Sequence, residues 1–304
     1  MLSELRNLPA PAKLNLFLHV TGRRADGYHL LETVFQFVDL HDRLDLRLRE
    51  DGAVNRADAP AGIPQDLDLT LRAANALKAA TGCRLGVDIG LRKFIPIGAG
   101  LGGGSSDAAT VLIGLNRLWR LGLGRSELIE VARPLGADVP VFIYGRNAYA
   151  TGIGDRFRPI GLPRRWFVLV MPPVSVATQG VFGDPKLTRN TKPITMLGFS
   201  KLAPALGGHN DLEPVVLARQ PAVRAALQAL QTERTERTGR TSKREQSQVQ
   251  ASVRMTGSGA CVFAALDDFK EAQETAMRVL RHNVGAVHVV AGLAKHPLGS
   301  RQVG

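Results

Sequence analysis

Residues 96–110 of the chain, PIGAGLGGGSSDAAT, decide its fold. Five of the seven residues 98–104 are glycine, and the stretch joins an apolar segment to a sequence with helical periodicity. Glycines let backbone N–H groups approach an anion closely, and the N-terminus of the following helix adds a partial positive charge. Ser105 and Ser106 can cap that helix or donate their hydroxyls to a phosphate. The stretch therefore predicts a phosphate-binding loop at the start of a helix.

Three well-known nucleotide-binding patterns do not fit this loop. Gly98, Gly100 and Gly103 satisfy G-x-G-x-x-G, but a dinucleotide fold needs a second strand ending in an acidic residue about 20 residues later. Residues 105–121 and 127–135 both have helical patterns instead. A Walker A loop needs a lysine after its last glycine, and this loop has none. The protein-kinase signatures H-R-D and D-F-G are absent from the sequence.

Hydrophobic patterning predicts a mixture of strands and helices. Residues 12–20, AKLNLFLHV, alternate apolar and polar, which is typical of a half-buried strand with Lys13, Asn15 and His19 on its polar face. Further strands are predicted over 33–40 and 43–50, and a strand pair over 84–97. Helices are predicted over 66–81, ending at Gly82, over 105–121, and over 127–135, capped by Ser126, and a short helix begins at Asp138.

The second half of the chain begins with an apolar strand over 165–171, and a strand, glycine loop and strand follow over 253–266. This mixed order predicts an α+β protein. At 304 residues the chain is long enough for two domains, which we place at 1–162 and 163–304. Residues 231–248 contain no apolar side chain and predict a flexible insert.

Composition excludes several classes of protein. The 39 Lys and Arg residues outnumber the 27 Asp and Glu residues, giving a formal net charge of +12, but the basic residues are scattered and aromatic residues make up only 5%. We expect an affinity for small anionic substrates rather than a nucleic-acid groove, although a basic nucleic-acid-binding module is the rival from another class. The sequence has no apolar run long enough for a membrane span, and Cys83 and Cys261 form no metal-binding pattern. We expect a cytoplasmic protein without a membrane partner.

Four segments, taken in order, resemble the GHMP small-molecule kinases. They are residues 11–42 (PAKLNLFLHVTGRRADGYHLLETVFQFVDLHD), the glycine loop, residues 135–145 (LGADVPVFIYG) and residues 255–266 (MTGSGACVFAAL). The resemblance spans about residues 9–293 and implies a two-domain GHMP kinase fold with the active site in the interdomain cleft. Within the family, it points to ATP-dependent phosphorylation of a cytidine-diphosphate sugar alcohol in isoprenoid precursor biosynthesis. A homoserine or mevalonate type of kinase is the alternative.

The resemblance also implies roles for individual residues. Lys13 and Asp138 would be the catalytic pair. The ATP-binding residues would be Lys93, Pro96, Ile97, Gly98, Ala99, Gly100, Leu101, Gly102, Gly103, Gly104, Ser105 and Ser106. The residues around the cytidine-diphosphate substrate would be Asn15, Tyr28, His29, Phe35, Phe182, Gly257, Ser258 and Gly259. Magnesium is expected together with ATP, bound by phosphates, waters and a serine hydroxyl.

Without the resemblance, several of these residues have simpler interpretations. Asp138 precedes a short helix and could equally be its N-cap. Phe35 would be a core residue, Tyr28 a turn residue and His29 an ordinary polar histidine. One position departs from the family pattern: Asp68 stands where members often have Asn near the adenine, so this contact with ATP is open.

Overall fold

A computed structural model of the chain describes residues 2–57, 64–194, 208–238 and 252–299. The strands are β1 (Glu4–Arg23), β2 (His29–Arg49), β3 (Val54–Arg56), β4 (Gly86–Arg92), β5 (Ala148–Thr151), β6 (Arg156–Pro159), β7 (Trp166–Met171), β8 (Val253–Met255), β9 (Val262–Leu266) and β10 (Ala286–Leu293). The helices are α1 (Leu69–Thr81), α2 (Gly103–Leu118), α3 (Arg125–Ala132), α4 (Val139–Tyr144), α5 (Thr178–Phe182), α6 (Glu213–Arg219), α7 (Pro221–Thr238) and α8 (Phe269–Leu280).

The strands form one continuous sheet, with the order β3-β4-β2-β10-β7-β9-β8 and with β1 and β5 paired to β2. One core lies between the N-terminal strands and helices α1 to α4, and a second lies between the C-terminal strands and helices α6 to α8. β10 joins the two halves because it pairs with β7 and also, through Gly292 and Leu293, with β2. The α+β class is confirmed, whereas a domain boundary at residue 162 stays a prediction.

The strand predicted over residues 12–20 exists within β1, but it is not half-buried. The polar side chains of Lys13, Asn15 and His19 are as buried as the apolar ones beside them. Alternation shows which side chains are polar, but it does not show whether the polar face meets water or other protein groups. Here the polar face of β1 meets other protein groups, among them residues of the C-terminal half.

Two other strand predictions need correction. The separate strands expected over 33–40 and 43–50 are one strand, β2, whose register against β1 shifts between Pro11 and Ala12. The pair expected over 84–97 is the single strand β4. In β2 the change of pattern is an irregularity within one long strand, whereas the residues after β4 are not in a strand.

The helix ends are set by short-range contacts. Asp68 caps α1 by accepting a hydrogen bond from the Thr70 N–H at 2.8 Å, and Gly82 ends this helix with a φ of 66°. The expected cap at Ser126 is wrong, because α3 starts after Gly124, whose N–H donates to the Glu127 carboxylate at 2.7 Å. The helix after the glycine loop ends at Leu118, three residues earlier than predicted.

The predicted flexible insert over 231–248 is wrong for its first part. Helix α7 continues to Thr238, and Glu233 in its final turns is buried. The Glu233 carboxylate accepts hydrogen bonds from Arg278 at 2.9 Å and pairs with His282 at 2.7 Å, and Arg234 pairs with Glu271 at 2.5 Å. Polar residues therefore pack here by pairing with α8. Residues 239–248 lie outside the described part of the chain.

Candidate active site

A cleft of about 560 Å³ lies where the two halves of the molecule meet. Its lining includes residues of strand β1, the glycine loop before α2, the turn before α4, and the loop between β8 and β9. We call the last of these, residues 256–261, the second glycine loop. Residues from motifs that are far apart in the sequence therefore line one cleft.

The two glycine loops are in direct contact. The Cys261 N–H donates to the Ala99 carbonyl at 3.1 Å. Gly100 has a φ of 74°, and a Cβ on it would lie 2.3 Å from the Thr256 carbonyl oxygen. Only glycine accommodates both this backbone conformation and this close approach. The second glycine loop therefore lies against the phosphate-binding loop.

The Lys13 side chain is 3% exposed and projects from β1 to the floor of the cleft. Its ammonium donates to Asn15 Oδ1 at 2.6 Å and to the Gly100 carbonyl at 3.0 Å, and it lies 3.2 Å from Asp138 Oδ2. An ammonium has three protons and no acceptor. All three protons therefore have acceptors within the site.

Asp138 directly precedes α4, yet its carboxylate makes no capping hydrogen bond. The side chain is 34% exposed and faces Lys13 across the cleft. The structure therefore excludes the capping role that the sequence left open. A carboxylate in this position can accept a proton from a molecule bound in the cleft.

Asn15 connects the two halves next to Lys13. Its backbone N–H donates to Thr256 Oγ1 at 2.8 Å, in the second glycine loop. Its amide Nδ2 donates to Thr33 Oγ1 at 2.9 Å, which leaves Oδ1 for the Lys13 ammonium. The backbone next to Lys13 is thus held by a residue of the C-terminal half, and the Asn15 amide that faces Lys13 is held by Thr33.

Asn210 and Glu213 hold the second glycine loop from behind. The Asn210 amide donates to the Met255 carbonyl at 2.9 Å and to the Gly257 carbonyl at 2.8 Å. Glu213 accepts from the Met255 N–H at 2.6 Å, and burial raises the pKa of its carboxyl group. Sequence reasoning missed both residues, because an Asn and a Glu at the start of a helix indicate only caps.

The Lys93 side chain lines the cleft next to the glycine loop before α2. Its ammonium bridges the carboxylates of Asp42 and Asp107, the latter at 2.7 Å. Asp42 also accepts the backbone N–H groups of Phe94 and Ile95 at 2.6 and 2.8 Å. Burial raises the pKa of Asp107 to about 8, although the Lys93 charge opposes the shift. Lys93 therefore anchors the strand-to-loop connection, and a contact with nucleotide stays a prediction.

The residues expected around cytidine are brought together only in part. The rings of His29 and Phe182, from opposite halves of the chain, lie with centroids 5.1 Å apart. Phe35 is buried, with its ring centroid 5.7 Å from the Lys13 ammonium. Tyr28 is 61% exposed and does not line the cleft. The structure thus groups His29 with Phe182 and Phe35 with Lys13, and leaves Tyr28 at the surface.

Comparisons with known proteins identify the family of this chain. A family model described as the GHMP kinases N terminal domain matches residues 68–146. The chain is 46% identical to the 4-diphosphocytidyl-2-C-methyl-D-erythritol kinase of Cupriavidus metallidurans, covering 98% of this chain and 96% of the relative. It is 47% identical to the enzyme of the same name from Bordetella parapertussis, covering 97% of both. The chain belongs to the 4-diphosphocytidyl-2-C-methyl-D-erythritol kinase family.

Solved structures place this family member within the GHMP fold. A crystal structure of 4-(cytidine 5'-diphospho)-2C-methyl-D-erythritol kinase is 31% identical, with a TM-score of 0.74 and coverage of 95% of this chain and 98% of that one. Homoserine kinase from Cytophaga hutchinsonii has a TM-score of 0.68 at 15% identity, over 97% and 96% of the two chains. The second likeness shows the fold alone. The GHMP kinase fold that the four segments implied is confirmed.

Two buried side-chain oxygens near the glycine loop before α2 are candidate ligands for a magnesium ion. Ser106 Oγ and Asp107 Oδ1 have no hydrogen-bond partner among the residues described. Both lie in the first turns of α2. Oxygen atoms are the ligands that magnesium prefers, so these residues fit a magnesium ion bound with ATP. Across the described ranges, no cluster of three or more His, Cys, Asp or Glu residues forms a preassembled metal site, and no helix is long and apolar enough to cross a membrane.

Proposed function

We propose that this kinase transfers the γ-phosphoryl group of ATP to the 2-hydroxyl of 4-diphosphocytidyl-2-C-methyl-D-erythritol. The observation that carries the proposal is the pair formed by Lys13 and Asp138, 3.2 Å apart beside the phosphate-binding loop. Relatives with that name are 46–48% identical over nearly the full length of the chain. The reaction belongs to isoprenoid precursor biosynthesis.

Asp138 acts as the general base. As the substrate hydroxyl oxygen attacks the γ-phosphorus, its proton passes to the Asp138 carboxylate. The bond between the γ-phosphorus and the bridging oxygen breaks at the same time, and ADP leaves with the bond electrons. The fixed positive charge of Lys13 stabilises the negative charge that develops on the transferred group.

The phosphates of ATP bind the loop before α2. The ATP-binding residues proposed are Pro96, Ile97, Gly98, Ala99, Gly100, Leu101, Gly102, Gly103, Gly104, Ser105 and Ser106, with Lys93 next to them in the cleft. Backbone N–H groups and the α2 N-terminus supply the attraction for phosphate. Magnesium, which neutralises phosphate charge when bound, would be held by the Ser106 hydroxyl together with phosphates and waters.

The cytidine end of the substrate lies toward His29 and Phe182. The aromatic rings provide faces on which a base can stack, and the histidine provides a polar edge. The end of the substrate that carries the reacting hydroxyl lies near Lys13. The residues proposed around it are Asn15, Phe35 and, in the second glycine loop, Gly257, Ser258 and Gly259. Tyr28 belongs to this group only if the β1–β2 turn moves, because its side chain is exposed here.

The test is an assay of ATP consumption with a panel of alcohols. We expect turnover with 4-diphosphocytidyl-2-C-methyl-D-erythritol and none with homoserine, mevalonate or 2-C-methyl-D-erythritol lacking the cytidine diphosphate. Asp138→Asn, which keeps the shape of the side chain but removes the base, serves as the inactive control. Turnover of homoserine or mevalonate at a comparable rate would overturn the substrate assignment.

A further inference from the structure

Asn210 is a buried residue whose amide group is fully engaged behind the second glycine loop. Its Oδ1 accepts the Leu212 N–H at 3.0 Å, and its Nδ2 donates to the carbonyl oxygens of Met255 at 2.9 Å and Gly257 at 2.8 Å. A side-chain amide has two N–H donors and one acceptor oxygen. Both donors are therefore used on the loop, and the amide has one orientation.

The backbone on both sides of Asn210 is fixed to β1. The Leu18 N–H donates to the His209 carbonyl at 2.9 Å, and the Leu18 carbonyl accepts the Asp211 N–H at 2.9 Å. Strand β1 also carries Lys13. Asn210 therefore holds the second glycine loop at a defined position relative to the Lys13 ammonium.

The hydrogen bond to the Gly257 carbonyl determines where the next N–H group points. The peptide between Gly257 and Ser258 is trans, so its C=O and N–H bonds lie in one plane and point in opposite directions. The carbonyl points to Asn210, which lies behind the loop and outside the cleft lining. The Ser258 N–H therefore points to the other side, where Gly257 and Ser258 line the cleft.

This N–H group has no acceptor among the residues that the structure describes, and neither has the Gly257 N–H. Both residues are buried, and buried backbone N–H groups nearly always have an acceptor. A Cβ on Gly257 would lie 3.2 Å from Lys13 Nζ, so a positive charge is next to these donors. Successive N–H groups of a turn form anion-binding sites. The position suits an anionic oxygen.

We propose that Asn210 is a positioning residue for phosphoryl transfer: by holding the Gly257 carbonyl, it directs the Ser258 N–H into the cleft, where this group donates to a phosphate oxygen beside Lys13. Two molecules of the proposed function carry such oxygens, ATP in its γ-phosphate and the cytidyl substrate in its diphosphate. The identity of the anion thus rests on the proposed function. Without the Asn210 donors, the peptide can turn over and present the Gly257 carbonyl to the anion instead.

Asp211 provides a matched control next to Asn210. Its carboxylate accepts the Val20 N–H at 2.7 Å and lies 2.7 Å from His209 Nε2, so it fixes the same segment to β1. In the described ranges, none of its hydrogen bonds reaches the second glycine loop. Loosening of the segment should therefore appear in Asp211→Ala as well as in Asn210→Asp, whereas loss of the directed N–H should appear only in Asn210→Asp.

The first experiment observes the Ser258 N–H by ¹H–¹⁵N NMR of the full chain labelled with ¹⁵N-serine, and Ser258→Ala assigns its signal. Three ligands are added separately: the ATP analogue AMP-PNP with magnesium, the cytidyl substrate, and inorganic pyrophosphate. A hydrogen bond to phosphate moves an amide proton downfield. We expect this shift in the wild type and in Asp211→Ala, but not in Asn210→Asp. A shift with AMP-PNP assigns the γ-phosphate, and a shift with the cytidyl substrate assigns its diphosphate.

Two NMR results would overturn the proposal. One is a wild-type Ser258 signal that moves with none of the three ligands, because this N–H then binds no phosphate. The other is the same shift in Asn210→Asp as in the wild type, because the N–H then points into the cleft without the Asn210 donors. Pyrophosphate carries neither base nor alcohol, so this test does not depend on the substrate assignment.

The second experiment measures kcat and KM for both substrates. Asn210→Asp keeps the shape of the side chain and removes both donors, and we expect kcat/KM to fall roughly tenfold to a hundredfold, the effect of one hydrogen bond to a charged group. The loss lies in the KM for the cytidyl substrate if the N–H binds the diphosphate, and in kcat if it binds the γ-phosphate. Asp211→Ala should keep both values near those of the wild type.

Asn210→Ser, which is too short to reach both carbonyls and adds no charge, is the second variant if Asn210→Asp does not fold. Circular dichroism establishes the folding of each variant. Wild-type kinetics in a folded Asn210 variant would overturn the proposal. Absence of any turnover of the cytidyl substrate by the wild type would instead contradict the proposed function, and the shifts with AMP-PNP and pyrophosphate would still decide the role of Asn210.

Discussion

Among single residues, Lys13 shows how much one charged group depends on its partners. The ammonium is shared by an amide on its own strand, a carbonyl of the phosphate-binding loop and the carboxylate of Asp138. Burial of a cation without such partners would cost several kcal/mol. These three contacts offset that cost and fix the position of the ammonium in the cleft.

We expect Lys13→Met to lower kcat by about a hundredfold or more and to leave the fold intact. Removing one group that stabilises transition-state charge costs roughly 3–4 kcal/mol. Steady-state kinetics and circular dichroism on the same preparation measure both effects. The exposed Lys186→Met is the control and should keep wild-type turnover. Near-normal turnover of folded Lys13→Met would remove this residue from the mechanism.

Phe182→Ala should raise the KM for the cytidyl substrate and leave the KM for ATP nearly unchanged. Stacking of a base on an aromatic side chain contributes roughly 1–3 kcal/mol, so the rise should lie between about fivefold and a hundredfold. Phe269→Ala is the control, because that ring packs on Trp166 away from the cleft. A defect confined to ATP would contradict the assignment of Phe182 to the cytidine end.

At the scale of elements, the two glycine loops form one unit, although Gly100 and Thr256 are 156 positions apart in the sequence (256 − 100). The local signals were sufficient for the existence of the first loop and of the helix after it, whereas phosphate binding by this loop stays a prediction. They were sufficient too for the end of α1 at Gly82, but the helix begins at Leu69, after its Asp68 cap, and not at residue 66. The support of the second loop by Asn210 and Glu213 could not be predicted, because it exists only after distant segments pack together.

Gly100→Ala should separate the loops, because the added Cβ would overlap the Thr256 carbonyl. We expect a large loss of turnover and a loss of stability of more than about 2 kcal/mol, since strain from a positive φ and a backbone clash add together. Gly122→Ala is the matched control: its φ of 68° is similar, and its Cβ would meet nothing within 4 Å. Kinetics and urea unfolding of both variants decide the matter. Equal effects in the two variants would show that the loop contact contributes nothing.

Helix α7 shows where compositional reasoning fails. A run without apolar residues predicted an insert, yet Glu233 and Arg234 form ion pairs with α8. Glu233→Ala should therefore lower the free energy of unfolding by about 1–2 kcal/mol, since it removes hydrogen bonds to charged partners. Thr232→Ala, on the exposed side of the same turn, should change stability little. Chemical denaturation measures the free energy of unfolding of both variants. An unchanged value in Glu233→Ala would show that these ion pairs do not stabilise the helix.

For the molecule as a whole, the C-terminal residues tie the two halves together. After β10 pairs with β2, His296 is buried edge-on against Phe37 and Phe142 in the N-terminal core. Its Nδ1 accepts the Leu298 N–H at 3.1 Å. Burial lowers the pKa of His296 to about 3, and His41 adds a smaller repulsion. His296 is therefore a titratable group of the C-terminal part that is buried in the N-terminal core.

This group makes stability depend on pH. Below the ordinary histidine pKa of 6.5, only the unfolded chain binds the proton, so stability should fall as the pH decreases from about 6.5 toward 3. One proton contributes a slope of up to about 1.4 kcal/mol per pH unit. His296→Asn, which can still accept the Leu298 N–H, should reduce that slope. Urea unfolding between pH 7 and pH 5 gives the slopes, and the same slope in His296→Asn as in the wild type would contradict this account.

The bond from the Asn15 N–H to Thr256 Oγ1 limits how such kinases can be recombined. A chimera that takes its C-terminal half from a distant GHMP kinase changes the partner of the Asn15 N–H, two residues from Lys13 on the same strand. We therefore expect that the two halves of such kinases cannot be exchanged independently, because β1 carries Lys13 and also contacts the C-terminal half through Asn15. Grafts that carry Asn210, Glu213 and the second glycine loop together have the best prospect of remaining active, and evolution within this fold faces the same linkage.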